Sequence, residues 1–351
     1  MESPVTSEGI PLVDIRALFH ARSTERDRTD AALHRGAREQ GFLIVTGLPA
    51  DVPLGHAARH AVLRVFDLAE GERRRLWRRK FEPRNSNIYR GWFPPQPGNL
   101  TSKEGIDMGA DVAYGVAVAD LGDPLCEPTP LPAESLLPGW RAAIAVYYKA
   151  MERVSRLLMQ SVARGLDLEE GYFDAAFRHG LSTLRLLRYP VRTAQDLESC
   201  KDPDLWIPDG QRRLHVVGAP HTDSGFMTLL AQDEVFGLQA RASDGSWLDV
   251  PPQENSLVVN FGQVLEAWCG GRIKATEHRV LGVGKERYSI PFLYEARADA
   301  EIAPLPNDPR SFEPFLYGDY LWARIVNFVE FRGMAAERTP RRAGKPALGN
   351  P

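Results

Sequence analysis

The chain of 351 residues has little cysteine, and the three that it has, Cys126, Cys200 and Cys269, form no C-x-x-C pair. An odd number of widely spaced cysteines does not form a secreted disulfide framework, so we expect a reducing, cytoplasmic setting. The amino terminus lacks a basic stretch followed by an apolar one, and no secretory signal is expected. No apolar run approaches the roughly 20 residues of a membrane span, so no membrane partner is expected either.

The chain also lacks a strong charge of either sign, because 43 Lys and Arg residues oppose 46 Asp and Glu residues. A net charge of −3 argues against a dedicated nucleic-acid binder, which would carry a clear basic excess. One basic run, GERRRLWRRK, lies at residues 71–80. We interpret it as the exposed face of a helix over residues 53–80, and a contact site for an acidic partner is the alternative.

What the chain does contain is a series of short apolar segments over residues 181–295, separated by Gly, Asp, Asn and Pro. This texture is typical of a β sandwich or barrel. A long helix is predicted over residues 139–165, where apolar residues recur at three- and four-residue steps. A closing helix is predicted after Pro314. The sequence therefore predicts a mainly β protein with flanking helices.

We expect one integrated catalytic domain rather than two independent ones. Residues 1–120 are predicted to form an N-terminal region of helices and strands that packs on the core. Residues 121–334 are predicted to hold that core together with the long helix and the C-terminal helix. Residues 335–351 are predicted to be a disordered tail.

One histidine lies two residues from a carboxylate at a predicted strand edge, in the triplet His221-Thr222-Asp223. Residues i and i+2 of an extended strand point to the same face, so His221 and Asp223 can reach one metal ion. His278, on another predicted strand, can supply a third ligand. Two histidines and one carboxylate form the facial triad that leaves positions open on iron(II). The same donors could hold zinc, but a zinc hydrolase would need a separate general base.

A second pair of the same spacing follows at Arg287-Tyr288-Ser289. The guanidinium and the hydroxyl point to one face of the strand, and together they suit a carboxylate group. An ordinary surface salt bridge is the alternative for Arg287 alone.

Several longer segments carry a resemblance to a known family. They are IPLVDI near the start, LRLLRYP at 184–190, HTDSGFMTLLAQDEVFGLQ at 221–239, WLDVPPQENSLVVNFGQVLE at 247–266, ATEHRV at 275–280 and RYSIPFLY at 287–294. With these segments the chain resembles the iron(II)/2-oxoglutarate-dependent dioxygenase superfamily, in its isopenicillin N synthase-like branch.

The resemblance implies a double-stranded β-helix, a cupin-like jelly roll, and a set of residue roles. His221, Asp223 and His278 would bind iron(II), and Arg287 and Ser289 would bind the distal carboxylate of 2-oxoglutarate, with Tyr189 assisting. The family reaction uses O₂ and converts 2-oxoglutarate to succinate and CO₂ while a C–H bond of a small molecule is hydroxylated, desaturated or cyclised.

Two alternative functions stay open. The chain could be an oxidase like isopenicillin N synthase, which holds its substrate with the same R-x-S and uses no 2-oxoglutarate. It could also be a non-catalytic jelly-roll binding protein. We expect a monomer or a homodimer that acts on a small molecule of specialised metabolism. Leu187 and Ser224 depart from the pattern of plant relatives and argue against a plant-type flavonoid or hormone substrate.

The loop at residues 84–107 is predicted to line or cover the mouth of the barrel. Arg90, Lys103 and Arg185 could meet an acidic group of the substrate, such as an amino-acid carboxylate. The alternative is that all three are solvated surface charges.

Overall fold

The computed structural model describes residues 5–6, 9–115, 122–209, 212–306 and 312–342. The strands among these residues are β1 Leu12–Asp14, β2 Phe42–Thr46, β3 Gly91–Phe93, β4 Glu104–Met108, β5 Thr183–Tyr189, β6 Trp206–Asp209, β7 Arg212–His221, β8 Met227–Gln232, β9 Leu238–Arg241, β10 Trp247–Asp249, β11 Leu257–Phe261, β12 His278–Gly282, β13 Arg287–Tyr294, β14 Glu301–Ile302 and β15 Phe315–Leu316. The helices are α1 Thr24–Glu39, α2 His56–Leu63, α3 Glu70–Arg74, α4 Asp111–Tyr114, α5 Trp140–Gly165, α6 Asp174–Phe177, α7 Ala194–Ser199, α8 Gln263–Trp268 and α9 Tyr317–Ile325.

Two sheets form the core. The larger has the order β1-β2-β11-β8-β13-β5-β4-β3, and the smaller has the order β10-β9-β12-β7-β6. Apart from the parallel pair β1 and β2, their strands run antiparallel. Strand β11 is buried along its whole length, as expected for the run Leu-Val-Val-Asn-Phe in a covered sheet. The predicted fold class, mainly β with flanking helices, is confirmed.

Helix α5 covers the outer face of the larger sheet. Its buried residues recur at three- and four-residue steps, which is the amphipathic pattern that predicted it. Tyr148 packs edge-on against Phe292 of β13, with ring centroids 5.0 Å apart, and its hydroxyl donates to the carbonyl of Ser182. The helix therefore fixes the backs of β5 and β13, whose other faces look into the interior.

The predicted helix over residues 53–80 is wrong in its second half, because α3 ends at Arg74 and the chain then turns. The interpretation of the basic run as an exposed face is also wrong for Arg78. Arg78 is fully buried, lies between the rings of Phe93 and Phe331, and is ion-paired with Asp107. A carboxylate on the distant strand β4 lets this arginine leave water, and nothing within the run itself indicates that partner.

The N-terminal segment contributes strands to the core as well as helices around it. Strand β2 lies between β1 and β11 in the larger sheet.

At the other end of the chain, the prediction of disorder from Ala335 needs correction over residues 335–342. There the guanidinium of Arg338 is buried and paired with Asp123 and Asp319. Residues 343–351 of the predicted tail lie outside the described residues. Among the described residues, no helix is both long enough and apolar enough to cross a membrane.

Candidate metal centre

The two sheet strands that carry histidines at this centre are neighbours. Strand β7 ends at His221, strand β12 begins at His278, and these two residues are partners in the antiparallel register. Asp223 follows two residues after His221, in the turn that leads to β8. One ligand atom from each of the three side chains lies within 4.8 Å of the others. Strand pairing and a short turn thus bring together residues that are far apart in sequence.

Each imidazole is oriented by the backbone carbonyl of the residue two positions before it. Nδ1 of His221 lies 2.8 Å from the carbonyl oxygen of Ala219, and Nδ1 of His278 lies 3.2 Å from that of Thr276. A carbonyl accepts a hydrogen bond, so Nδ1 carries a proton in both rings, and Nε2 is the nitrogen that is left to bind a metal ion. The two Nε2 atoms lie 3.7 Å and 3.8 Å from the same oxygen, Oδ1 of Asp223.

The other carboxylate oxygen of Asp223 is held by two side chains. Oδ2 accepts hydrogen bonds of 2.6 Å from the hydroxyl of Thr228 and 2.7 Å from the amide of Asn260. Gly262 allows the backbone to pass close behind, since a Cβ there would lie 2.9 Å from the carbonyl oxygen of Asp223. These contacts turn Oδ1 toward the histidines.

The protonation states suit a metal ion. Burial, and then the neighbouring His278, lower the pKa of His221 to about 4. Burial alone would raise the pKa of Asp223, but His278, His221 and the two hydrogen bonds bring it down to about 2. At neutral pH the centre therefore offers a neutral His221 and an ionised carboxylate, which are the forms that bind a cation.

This donor set fits iron(II) in kind and in arrangement. Two imidazole nitrogens and one carboxylate oxygen lie close together, and His221 and Asp223 also line a cavity that a cosubstrate could enter. Within the described residues, no other group of three histidine, cysteine or acidic side chains comes together in this way.

The cavity next to the three side chains has a volume of about 400 Å³, within the range of small-molecule sites. His221 and Asp223 form one part of its wall, and Tyr189 lies at another. Lys103 and Arg185 also line it. It thus combines the metal centre with both aromatic and charged groups.

The residues predicted to bind 2-oxoglutarate lie beside this cavity, and only Tyr189 belongs to its wall. Arg287 and Tyr189 are register partners on β13 and β5, and the guanidinium lies 5.2 Å from the tyrosine ring. Tyr189 and Arg287 share a second, small pocket, so the tyrosine lies between Arg287 and the cavity. Ser289 is buried opposite Leu187 and contributes to a separate cavity of about 340 Å³ against α2.

Arg287 is nevertheless suited to an anionic partner. It is buried, and its Nη2 donates 3.1 Å to the side-chain oxygen of Gln232. Its Nε is also buried and has no hydrogen-bond partner among the described residues. An unpaired buried donor on a permanent cation is costly, and a carboxylate would satisfy it.

Of the three charged residues that the sequence singled out as possible substrate contacts, Lys103 and Arg185 line the cavity. Lys103 is ion-paired with Glu330 at 3.1 Å, and Arg185 with Asp107 at 2.6 Å. Arg90 lies behind the wall, where it donates to the hydroxyl of Thr183 and to the carbonyl of Leu181.

Several roles at the site were not predicted from the sequence. Thr228 and Asn260 anchor Asp223, and both occur in segments that resemble the family, but the sequence assigned neither of them to this contact. Glu295 is buried in the cavity wall, where its carboxylate is bonded to the hydroxyl of Tyr317. Burial, and then the charge of Asp223, raise the pKa of Glu295 well above its usual value.

A double-sheet core with two histidines and one carboxylate at the mouth of its cavity defines the class of mononuclear non-haem iron oxygenases. Residues 182–296 match the model of the 2OG-Fe(II) oxygenase superfamily, which indicates the same class. Iron(II), 2-oxoglutarate and O₂ are the cofactors of that family.

Similar proteins support the same placement. The chain is 29% identical to an isopenicillin N synthase of Streptomyces clavuligerus, over 90% of this chain and 94% of the relative, which supports the isopenicillin N synthase-like branch. It is also 29% identical to the 2-oxoglutarate-Fe(II) type oxidoreductase hxnY of Emericella nidulans, over 85% and 82% of the two chains. The crystal structure of a full-length Neurospora crassa protein in complex with alpha-KG is similar at a TM-score of 0.76 and 25% identity, with 93% and 99% coverage. The core is accordingly a jelly roll.

Proposed function

We propose that this chain is an iron(II)- and 2-oxoglutarate-dependent oxygenase that oxidises a C–H bond of a small molecule in specialised metabolism. For hydroxylation, 2-oxoglutarate, O₂ and R–H give succinate, CO₂ and R–OH; desaturation and cyclisation are variants. One observation carries this proposal: both Nε2 atoms converge on Oδ1 of Asp223 at the edge of a cavity. Behind Tyr189, this cavity is bordered by Arg287, whose buried Nε has no hydrogen-bond partner among the described residues.

The roles that we assign follow from these contacts. His221, Asp223 and His278 hold the metal, and bound iron(II) would supply the activation of O₂. Arg287, with Ser289 on the same strand face, binds the distal carboxylate of 2-oxoglutarate, and Tyr189 orders that end of the cosubstrate. Thr228 and Asn260 keep Asp223 in place, which leaves its Oδ1 for the metal.

The direct test measures succinate from 2-oxoglutarate with purified protein, iron(II), ascorbate and air. We expect succinate above the level of a reaction without protein, and more of it when a true substrate is added. Omission of iron(II) or addition of a chelator should abolish the signal. Oxidation of a true substrate that proceeds equally well without 2-oxoglutarate would contradict the proposal.

That last outcome would favour an oxidase like isopenicillin N synthase, the second candidate. The 29% identity to the Streptomyces clavuligerus enzyme over 90% of this chain supports it. In that case Arg287 and Ser289 would hold a carboxylate of the substrate. O₂ uptake measured with and without 2-oxoglutarate separates the two candidates.

A non-catalytic jelly-roll protein is the alternative of another class. The loss of a metal ligand would be its signature, but all three side chains are present and close together. Failure to bind iron(II) at neutral pH would support it.

A further inference from the structure

The wall of the cavity around Lys103 and Arg185 carries an unusual concentration of buried charge. We call this group of side chains the charged wall. Its cations are Lys103 and Arg185, which line the cavity, and Arg78 and Arg90, which lie directly behind them; its carboxylates are Asp107, Glu330 and Glu295.

The cations of the charged wall outnumber the carboxylates with which they form ion pairs. Asp107 is shared by Arg78 and Arg185, so one carboxylate serves two guanidinium groups. Glu330 pairs with Lys103. Arg90 donates to a hydroxyl and a carbonyl, which are both neutral acceptors.

The two carboxylates in these pairs are ionised, and the cations of the charged wall still outnumber them. Burial would raise their pKa values, but Arg185 and Arg78 hold the pKa of Asp107 at about 2, and Lys103 and Arg185 do the same for Glu330. Four cations therefore face two such carboxylates. Glu295 reduces the surplus of positive charge without removing it even when it is ionised, and burial raises its pKa.

The position of Arg185 in the barrel is also informative. Thr183, Arg185 and Tyr189 alternate along β5 and all line the cavity, because residues two apart share a face. Arg185 is four residues from Tyr189, a distance of about 13 Å along an extended strand. The arginine proposed to bind 2-oxoglutarate pairs with Tyr189, so Arg185 lies well away from the cosubstrate end of the strand.

Arg185 also has capacity for a further acceptor. Its Nε and Nη2 donate to the two oxygens of Asp107 at 2.6 and 2.8 Å, and its side chain keeps about 20% of its accessible surface, on the cavity side of β5. The exposed residues Asp202 and Arg332 also line the cavity. Because their charges are opposite, they do not change the excess of positive charge.

We propose that the substrate is a small organic acid and that its oxyanion, a carboxylate or a phosphate, binds Arg185 and Lys103 on the charged wall. This inference rests on the proposed function, because it takes Arg287 as the cosubstrate anchor and leaves the charged wall for the substrate. A forked guanidinium paired to an oxyanion fixes orientation as well as affinity.

The test is binding of matched probes to the full chain loaded with iron(II) and 2-oxoglutarate, without O₂, measured by calorimetry. The pairs are 3-phenylpropionate and 3-phenylpropionamide, octanoate and octanamide, and N-acetylphenylalanine and its amide; phenyl phosphate and phenol form a separate arm. We expect at least one acid to bind about tenfold or more tightly than its neutral partner. The arm that gives the larger ratio distinguishes carboxylate from phosphate. Equal binding of acids and neutral partners in every pair, or no binding of any acid, would overturn the proposal.

Variants locate the binding group. Arg185→Gln should weaken binding of the preferred acid about 10- to 100-fold and leave 2-oxoglutarate binding unchanged. Asp107 keeps Arg78 as a partner in this variant. Lys103→Gln is the second variant if the first does not fold. Arg188→Gln is the matched control, because Arg188 lies on the same strand, pairs with Glu104 and Glu286, and does not line the cavity.

The outcomes separate this inference from the proposed function. If Arg185→Gln weakens 2-oxoglutarate binding while acid binding is unchanged, the charged wall serves the cosubstrate and the inference is wrong. Succinate formation by the wild-type protein without any preference for acids would defeat the inference and leave the proposed function intact.

Discussion

The metal centre and the charged wall face the same cavity, but they are built in different ways. The metal centre takes two residues from one triplet and a third from the neighbouring strand, and local backbone carbonyls orient both histidines. The charged wall collects side chains from the segment after α3, from β4, from β5 and from the region after α9. A site with local spacing can be recognised in a sequence, whereas a site assembled by long-range ion pairs cannot.

The largest expected effect comes from removing a metal ligand. His221→Ala should lose metal binding and turnover by more than about 100-fold, because even the residues that support metal ligands are worth 10- to 100-fold. Metal content after anaerobic reconstitution and succinate formation are the measurements. His215→Ala is the control, since His215 lies on the same strand but outside the metal group. Full iron binding by His221→Ala would break the assignment of this centre.

The charged wall should be broken most severely through Asp107. Asp107→Asn leaves the buried guanidinium of Arg78 and the Arg185 pair without their shared carboxylate, and we expect a loss of about 3–5 kcal/mol in the free energy of unfolding. Denaturant unfolding measures this change. Asp51→Asn is the control, because it breaks an exposed pair with Arg153 and should have little effect. Equal stability of the two variants would mean that the charged wall is not a buried network.

Removing the cosubstrate anchor should have a smaller effect. Arg287→Gln should raise the KM for 2-oxoglutarate about 10- to 100-fold, since one charge-assisted contact is lost. Iron(II) affinity should stay the same, because Arg287 is not in the metal group. Kinetics at varied 2-oxoglutarate test this prediction, with Arg188→Gln as the control. An unchanged KM would mean that Arg287 does not anchor 2-oxoglutarate.

The smallest effect concerns Glu295, the carboxylate of the charged wall that is also affected by the charge of Asp223. Its pKa is raised in the folded state, so the folded chain binds more protons than the unfolded chain above about pH 4.5, the ordinary value for Glu. Stability should therefore fall as pH rises from 4.5 toward the raised pKa. Glu295→Gln should remove this fall while keeping a partner for Tyr317. Melting temperatures of the metal-free proteins across this range test it, and parallel curves would contradict the raised pKa.

The sequence predicted the fold class, and it singled out the three side chains that lie together at the metal centre. His221 and Asp223 stand out because i and i+2 share a face, and His278 stands out through the resemblance of its segment. The burial of Arg78 could not be predicted from a run of arginines, because Asp107 lies on a strand that becomes its neighbour only on folding. The contact of Asn260 with Asp223 also forms only on folding, because the two residues are 37 positions apart in the chain.

The pairing of Lys103 with Glu330 gives a second example. Glu330 lies beyond α9, in a segment that the sequence predicted only as part of a closing helix. In the fold its carboxylate comes within 3.1 Å of the Lys103 ammonium group. Lys103 was singled out as a possible substrate contact, but the carboxylate that positions it was not.

We expect His221, Asp223 and His278 to form an iron(II) centre that works with 2-oxoglutarate. Visible absorption after anaerobic addition of 2-oxoglutarate to the iron(II)-loaded protein tests it most directly. We predict a metal-to-ligand charge-transfer band that saturates at one 2-oxoglutarate per chain, is absent from His221→Ala, and requires higher 2-oxoglutarate in Arg287→Gln. An undiminished band in His221→Ala, or no band in the wild-type protein with iron bound, would contradict the account.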